Sequence, residues 1–399
     1  MPGRFSGRFC SSLFDVSLDA SSNLQSDVLN TPFNTIEFLK LLEDSQSVGK
    51  ETGWLPHYFV IFANEHGDNE TDNEASNATK KPCALLPIYQ KEHSYGEYVF
   101  DHSWANAFYQ HGLDYYPKLL CALPFTPVSA GKLLIDTQHA VAAEDIWLFA
   151  LDAIWRELSN YSSMHFLFMS DTQAEFLENK GYHIRRSIQF VFYNNAFVSF
   201  DDFLSTLKSR KRKSITKERK QIADAGVIVE RLVGSDITEE VMQEFYYCYQ
   251  RTYMKRSGHS GYLTRQFFDM LKDAMNGSVM IVKASNAGRL IASALFFYDD
   301  SGLYGRYWGA LEEVSGLHFE CCYYQGIEFA IENNLPIFNP GTQGEHKILR
   351  GFTPTYCYSA HKLHRQDFDA AVADFTKKEA PHIDNYMRET TALLPFKQA

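Results

Sequence analysis

The stretch Gly302–Phe352, GLYGRYWGALEEVSGLHFECCYYQGIEFAIENNLPIFNPGTQGEHKILRGF, restricts the possible folds of the chain most. Leu303–Gly309 is aromatic-rich and follows another strand-like run, Leu290–Tyr298. After the loop Glu312–Leu317, which contains Gly316, apolar residues recur at Phe319, Cys322, Tyr323, Gly326, Ile327, Ala330 and Ile331. That recurrence is the face of a helix. Pro336–Asn339 reads as a strand and delivers Gly341, Thr342, Gln343, Gly344, Glu345, His346 and Lys347. Small residues there bring backbone amides close to an acid, an imidazole and an amine. Loops at strand ends, held by a rigid sheet, are where binding and catalysis concentrate.

The rest of the chain extends the α/β pattern. Residues 1–30 are rich in Ser, Asp and Asn and read as a loosely ordered lead-in. Thr31-Pro32 is expected to open a helix over Phe33–Leu42, since Thr caps well and Pro suits the first turn. Strands are expected at Trp54–Ala63, Cys83–Gln90, Tyr95–Phe100, Lys118–Pro124, Met164–Met169 and Ile188–Tyr193, with helices near Trp104–His111, Glu144–Leu158 and Thr172–Lys180. The polar run between the first two strands reads as a long hairpin loop. Beyond Phe197 come a helix Asp201–Leu207, a basic helix Ser209–Ala225 ended by Gly226, and a strand Val227–Leu232. Helices Thr238–Lys255 and Thr264–Met275 follow, then a hairpin through Asn286-Ala287-Gly288, a turn-forming run. A strand Tyr356–Lys362 and a helix Gln366–Arg388 close the chain.

A faint repeat runs through this order. Tyr58–Ala63, Cys83–Gln90 and Tyr95–Phe100 match the layout of Ser278–Ala284, Leu290–Tyr298 and Leu303–Gly309. The third member carries SYGEYVF in one half and LYGRYWG in the other. Repetition of a mixed unit argues for two similar domains, expected at 31–195 and 196–399.

Net charge is −11, from 49 acidic against 38 basic residues, so the protein as a whole is not a polyanion binder. Seven scattered cysteines form no disulfide framework and fit a reducing compartment. The N-terminal residues lack the apolar core of a signal peptide, and no run approaches the roughly 18 apolar residues of a membrane span. A cytoplasmic location is expected.

Each candidate site carries two readings. In the GTQGEHK turn, Glu345 or His346 is a candidate base taking a proton from an attacking amine. Gln343 and Lys347 are candidates to polarise a carbonyl or hold a carboxylate or phosphate; the alternative is a helix start with surface charges. Glu97 and Arg306 are candidates to project from equivalent strands into a cleft, or else to form an exposed ion pair beside aromatic packing. His318 and Glu320 flank a helix start, where free amides attract anions, or they cap the helix. The run Lys208, Arg210, Lys211, Arg212, Lys213, Lys217, Arg219, Lys220 either holds a phosphate-rich donor or is a solvated face. The P-loop, dinucleotide, zinc and GxSxG spacings are absent, and Cys321 and Cys322 read as helix packing.

The segments ETGWLP, KEHSYGEYVFDHSWANAFYQHGLDYYPKLLCALPFTPVSAGKLL, SRKRKSITKERK, YGRYWGALEEVSGLHFECCYYQGIEFAIE and GTQGEHKILRGF resemble the FemAB-like predicted N-acyltransferases of the Gcn5-related (GNAT) superfamily. The resemblance runs from about Thr31 to Arg388. It implies α/β architecture with two tandem GNAT-like domains, and kinship with ligases that move amino acids from aminoacyl-tRNA onto peptidoglycan precursors. The loop ALEEVSGLH departs from the superfamily's Gln/Arg-x-x-Gly-x-Gly/Ala pyrophosphate signature, carrying one glycine and two acids.

Together these readings predict a cytoplasmic N-acyltransferase without a metal or a tightly bound cofactor. An acyl or aminoacyl group would pass from acyl-CoA or aminoacyl-tRNA to an amine of a small-molecule or peptide acceptor, such as a peptidoglycan precursor. Glu345 and His346 would transfer protons. Tyr95, Glu97, Lys118, Arg306, Tyr307, His318, Glu320 and Gln343 would bind substrate, and Lys347, Arg210, Arg212 and Lys213 the donor's phosphates. The alternative is a silent binding protein of the same double fold that recognises a peptide or nucleotide-linked precursor.

Overall fold

The computed structural model describes residues 4–18, 24–26, 28–64, 80–138, 142–342 and 344–397. The chain forms two compact units, Met1–Arg186 with Cys357–Pro381, and Ser187–Tyr356 with His382–Ala399. Both are mixed α/β, the class the sequence implied.

The first unit contains two sheets. One runs in the order Phe5–Cys10, Tyr58–Ala63, Ala84–Leu86, Leu134–Asp136, Leu24–Ser26, all antiparallel. The other begins at the Cys357–Leu363 part of Thr353–Leu363 and continues through Ser163–Met169, Lys118–Cys121, Ile88–Lys91 and Trp54–Pro56. Lys118–Cys121 runs parallel to Ser163–Met169. Ser163–Met169 is buried along its whole length, and the helix Ala143–Glu157 buries Ile146, Trp147, Ala150 and Ile154. That is one stripe of a helix turned to a core.

Three expectations change here. Residues 1–30 supply the strands Phe5–Cys10 and Leu24–Ser26 rather than a loose lead-in. The expected strands Trp54–Ala63 and Cys83–Gln90 each divide, after Pro56 and at Pro87, and their halves enter different sheets. Proline lacks the N–H that a continuous ladder needs. Tyr95–Phe100 is no strand, because Gly96 (φ 79°) and Tyr98 (φ 61°) turn the chain back. Lys118–Cys121 takes the place beside Ile88–Lys91 instead. YGEY and YGRY are therefore not structural equivalents.

The helix expected from Thr31 starts later, at Ile36–Asp44. Thr35 caps it by accepting from the Phe38 amide at 3.2 Å.

The second unit is built on a sheet in the order Val227–Val233, Val279–Asn286, Arg289–Asp299, Gly302–Ala310, Ile337–Asn339 and the Ser187–Tyr193 part of His183–Tyr193. Its neighbours are antiparallel except one pair. Gly302–Ala310 and Ile337–Asn339 run parallel and pair only at Leu303↔Phe338 and Tyr304↔Asn339. Helix Glu239–Ser257 lies directly on the first of these strands, since a Cβ on Gly309 would sit 2.0 Å from the Cys248 carbonyl oxygen. The segments Leu317–Phe319, Glu320–Tyr324 and Gln325–Glu332 follow one another, the middle one in π geometry.

Candidate functional site

The parallel pairing ends at Tyr304 and Asn339, and each strand then hands on to a different segment. The first continues through Trp308 to the loop before Leu317, and the second leads to the short 3-10 segment Glu345–Arg350. Chemistry-bearing side chains collect where these segments meet. His346 Nε2 lies 2.8 Å from the Tyr323 hydroxyl. The His318 ring lies 5.2 Å from the Tyr323 ring, 5.5 Å from Trp308 and 6.1 Å from His346. Gly344 (φ 115°) permits this turn, because a Cβ there would stand 2.4 Å from His346 Cε1.

Electrostatics favour neutral imidazoles. Burial, then the positive charges of Arg350 and Lys347, holds His346 below its ordinary value. Burial, then His346, Arg256, Lys347 and Arg350, takes His318 down to about 4. Both rings are uncharged near pH 7, as a proton acceptor must be. Burial pushes the phenol of Tyr323 up, so it stays protonated.

The expected site residues divide. His346, His318 and Glu345 belong to this region, and Glu345 is exposed and accepts from the Tyr386 hydroxyl at 2.8 Å. Lys347, expected at the donor's phosphates, is only 2% exposed and donates to the Gly341 carbonyl at 2.6 Å. Burial takes its amine down to about 7. A buried ammonium is expensive, which is the cause of that shift, and the turn holds Lys347 inward on the Gly341 carbonyl rather than at an outer anion. Glu320, expected to bind substrate, is buried and occupied by Arg219 (3.1 and 3.0 Å) and Gln325 (2.7 Å). Tyr307 is buried edge-on against Tyr249 at 5.1 Å, facing helix Glu239–Ser257, and the Arg306 guanidinium lies 5.1 Å from its ring. Gln343 lies outside the described residues.

Tyr95, Glu97 and Lys118 are in the first unit. Tyr95 is 65% exposed, while its carbonyl accepts from Trp54 Nε1 at 3.0 Å. Lys118 is fully buried and donates to Glu97 (2.8 Å), Ser94 (2.8 Å) and Asp101. Neither Glu97 nor Lys118 reaches solvent. They form an internal ion pair, and Glu97 is no counterpart of Arg306.

Arg210 and Lys213 are exposed and Arg212 half-buried on the basic helix Ser209–Asp224. Arg212, Lys213, Lys217 and Lys220 line a groove of about 540 Å³ with Leu204, Ser205, Thr216 and one acid, Asp201. Among the described residues none of these cations has a carboxylate partner, nor do Lys208, Arg210 and Lys211. Arg219 and Glu218 face inward instead.

Sequence reasoning missed Tyr323, Arg350, Glu218 and Arg219. Tyr323 was hidden in an apolar stripe, and Arg219 was counted with the surface charges. Among the described residues, no group of three or more His, Cys, Asp and Glu side chains is arranged to hold a metal, and no helix is long and apolar enough to cross a membrane.

A transferase is the class to which the family of this α/β chain belongs. The chain belongs to the FemAB-like family, described as peptidoglycan biosynthesis/recognition, whose model matches residues 15–398. No curated protein matches the chain. Solved structures similar to it include a conserved protein of unknown function from Bacteroides thetaiotaomicron, at 11% identity over 88% of this chain and 98% of that one, TM-score 0.49. FemX shares 11% identity over 79% of this chain and 84% of its own, TM-score 0.47. A tandem GNAT protein from the clavulanic acid pathway shares 9% identity over 90% and 98%, TM-score 0.43.

Proposed function

We propose that the second unit transfers an aminoacyl or acyl group to the amine of a peptidoglycan-related acceptor, in the cytoplasm. The observation that carries this reading is the neutral His346–Tyr323 pair, set where two parallel strands stop pairing. An incoming amine must lose a proton as it attacks a carbonyl, and His346 is the acceptor placed for that proton. The Tyr323 hydroxyl orients the imidazole, and Glu345 is the exposed carboxylate next to it.

The donor is an aminoacyl-tRNA. Two features favour it over a CoA ester. The loop Leu311–Gly316 presents Glu312 and Glu313 to the pocket beside Trp308 and His318, and their cations Arg289 (3.7 Å) and Lys255 (2.8 Å) are already engaged, so a pyrophosphate there meets acids rather than free cations. The exposed cations Arg210, Lys213, Lys217 and Lys220, spaced three, four and three residues apart, form one helix face. That face is about 15 Å long at helical rise and suits an extended phosphate backbone.

The test is thermal stabilisation by bulk aminoacyl-tRNA, acetyl-CoA and a long-chain acyl-CoA, with uncharged tRNA as control. A ligand at a hundred times its dissociation constant adds about 2.7 kcal/mol. Stabilisation by charged tRNA above its uncharged control is the expected result. A response to a CoA ester alone overturns the donor assignment. Silence from all three favours the binding protein.

A further inference from the structure

The basic helix has an inner face that touches the site-bearing segments. Arg219 donates twice to Glu320 (3.1 and 3.0 Å) and twice to Glu328 (2.9 and 2.9 Å), gripping the π segment and the helix after it. Glu218 accepts from the Tyr324 hydroxyl and from Arg350 Nη2 at 2.9 Å. Arg350 Nε reaches the Tyr324 hydroxyl at 2.9 Å, and Nη1 donates to the His346 carbonyl at 2.9 Å. The Arg350 guanidinium lies 3.4 Å from the centroid of the Phe319 ring.

We propose that Glu218 and Arg350 are a positioning pair that sets the His346 imidazole against the Tyr323 hydroxyl. The pair ties the geometry of the reacting groups to the helix that carries the basic face. The claim about catalysis rests on the function proposed above; the claim about geometry does not.

Two irregular segments carry the groups that must meet. Glu320–Tyr324 is a π turn and Glu345–Arg350 a 3-10 run; the first is a local interruption of α geometry and the second has poorer backbone hydrogen bonding than an α-helix. Neither holds a side chain to a fraction of an ångström unaided. Tyr323 sits on the first and His346 on the second. The Glu218–Tyr324–Arg350 triangle joins them through side chains that are largely shielded from water, where charge-assisted bonds are strong. One planar fork serves three acceptors at once. A lysine has the charge but not that geometry.

The test follows the ring nitrogens of His346 by NMR in the full-length chain labelled with ¹⁵N-histidine, comparing Arg350→Lys and Glu218→Gln with the unaltered protein. In the unaltered protein His346 is expected to hold one tautomer, selected by the Tyr323 hydroxyl. Both variants are expected to average the tautomers while the melting temperature stays within a few degrees. With a transfer assay, kcat falls about tenfold or more with KM nearly constant, and the double variant is no worse than the worse single one, as for residues acting as a unit. A folded variant that keeps the single tautomer and the original kcat overturns the proposal. If Arg350→Lys does not fold, the isosteric Glu218→Gln decides alone. If the unaltered protein transfers nothing, the nitrogen shifts still judge the positioning pair, and it is the proposed function that fails.

Discussion

The His346 imidazole and the Tyr323 hydroxyl stand 2.8 Å apart, although one residue lies on a 3-10 segment and the other on a π turn 23 positions earlier. Their meeting joins a histidine that the GTQGEHK turn marked as a candidate base to a tyrosine hidden in an apolar stripe.

His346→Gln removes the proton acceptor, and single-turnover transfer is expected to slow by about 10²-fold or more. Tyr323→Phe, which leaves the base but loses its orientation, is expected to cost about tenfold. In the unaltered protein the rate falls only as pH drops through the lowered His346 value, below 6.5, because protonated imidazole accepts nothing. Arg350→Gln removes a neighbouring positive charge and shifts that acid limb to higher pH. An unchanged rate in His346→Gln eliminates this base.

Lys118→Met leaves the buried Asp101 carboxylate without its cation and Glu97 with only the more distant Lys91 at 3.9 Å. Breaking a buried ion pair from one side costs about 3–5 kcal/mol, so urea unfolding should shift by that order. A loss below about 1 kcal/mol contradicts a structural role for Lys118.

Lys132 is fully buried, and among the described residues its amine has no hydrogen-bond partner. Burial takes its value down to about 8, with Cys121 and Cys357 acting weakly against the shift. Between pH 8 and the ordinary value of 10.5 the unfolded chain binds the extra proton, so stability contributed at this site rises with pH. Lys132→Met is therefore expected to stabilise the protein, by about 1–3 kcal/mol at pH 7, and the gain should shrink toward pH 10. Melting temperatures at the two pH values check the sign; a gain that grows with pH contradicts it.

Charge reversal of Arg210, Lys213, Lys217 and Lys220 should abolish binding of labelled tRNA and flatten its dependence on salt. These side chains lie on an exposed face, so the melting temperature should change little. Fluorescence anisotropy across a salt series measures both. Unaltered affinity removes the basic face from the donor site.

Much of the fold was legible because its signals are local. The helical stripe from Phe319 to Ile331 and the hairpin at Asn286-Ala287-Gly288 are set by neighbours a few residues apart, and both formed. The strand at Ile337–Asn339 and the turn after it also fell where spacing put them. His346 was legible as a candidate because it lies among glycines at a strand end, where the other reading was a helix start with surface charges.

What the sequence determined by itself was the α/β class, the order of elements from Phe200 onward and the location of the GTQGEHK turn. Tertiary structure alone decided which charges face solvent. Lys347 was expected at the donor's phosphates and Lys118 among the substrate-binding residues, yet each is buried on an acceptor of its own unit. Arg219 and Lys220 are adjacent, and helical rotation sends one to Glu320 and the other to the groove. The cost of burying a charge depends on partners distant in sequence, and spacing along one segment does not contain them.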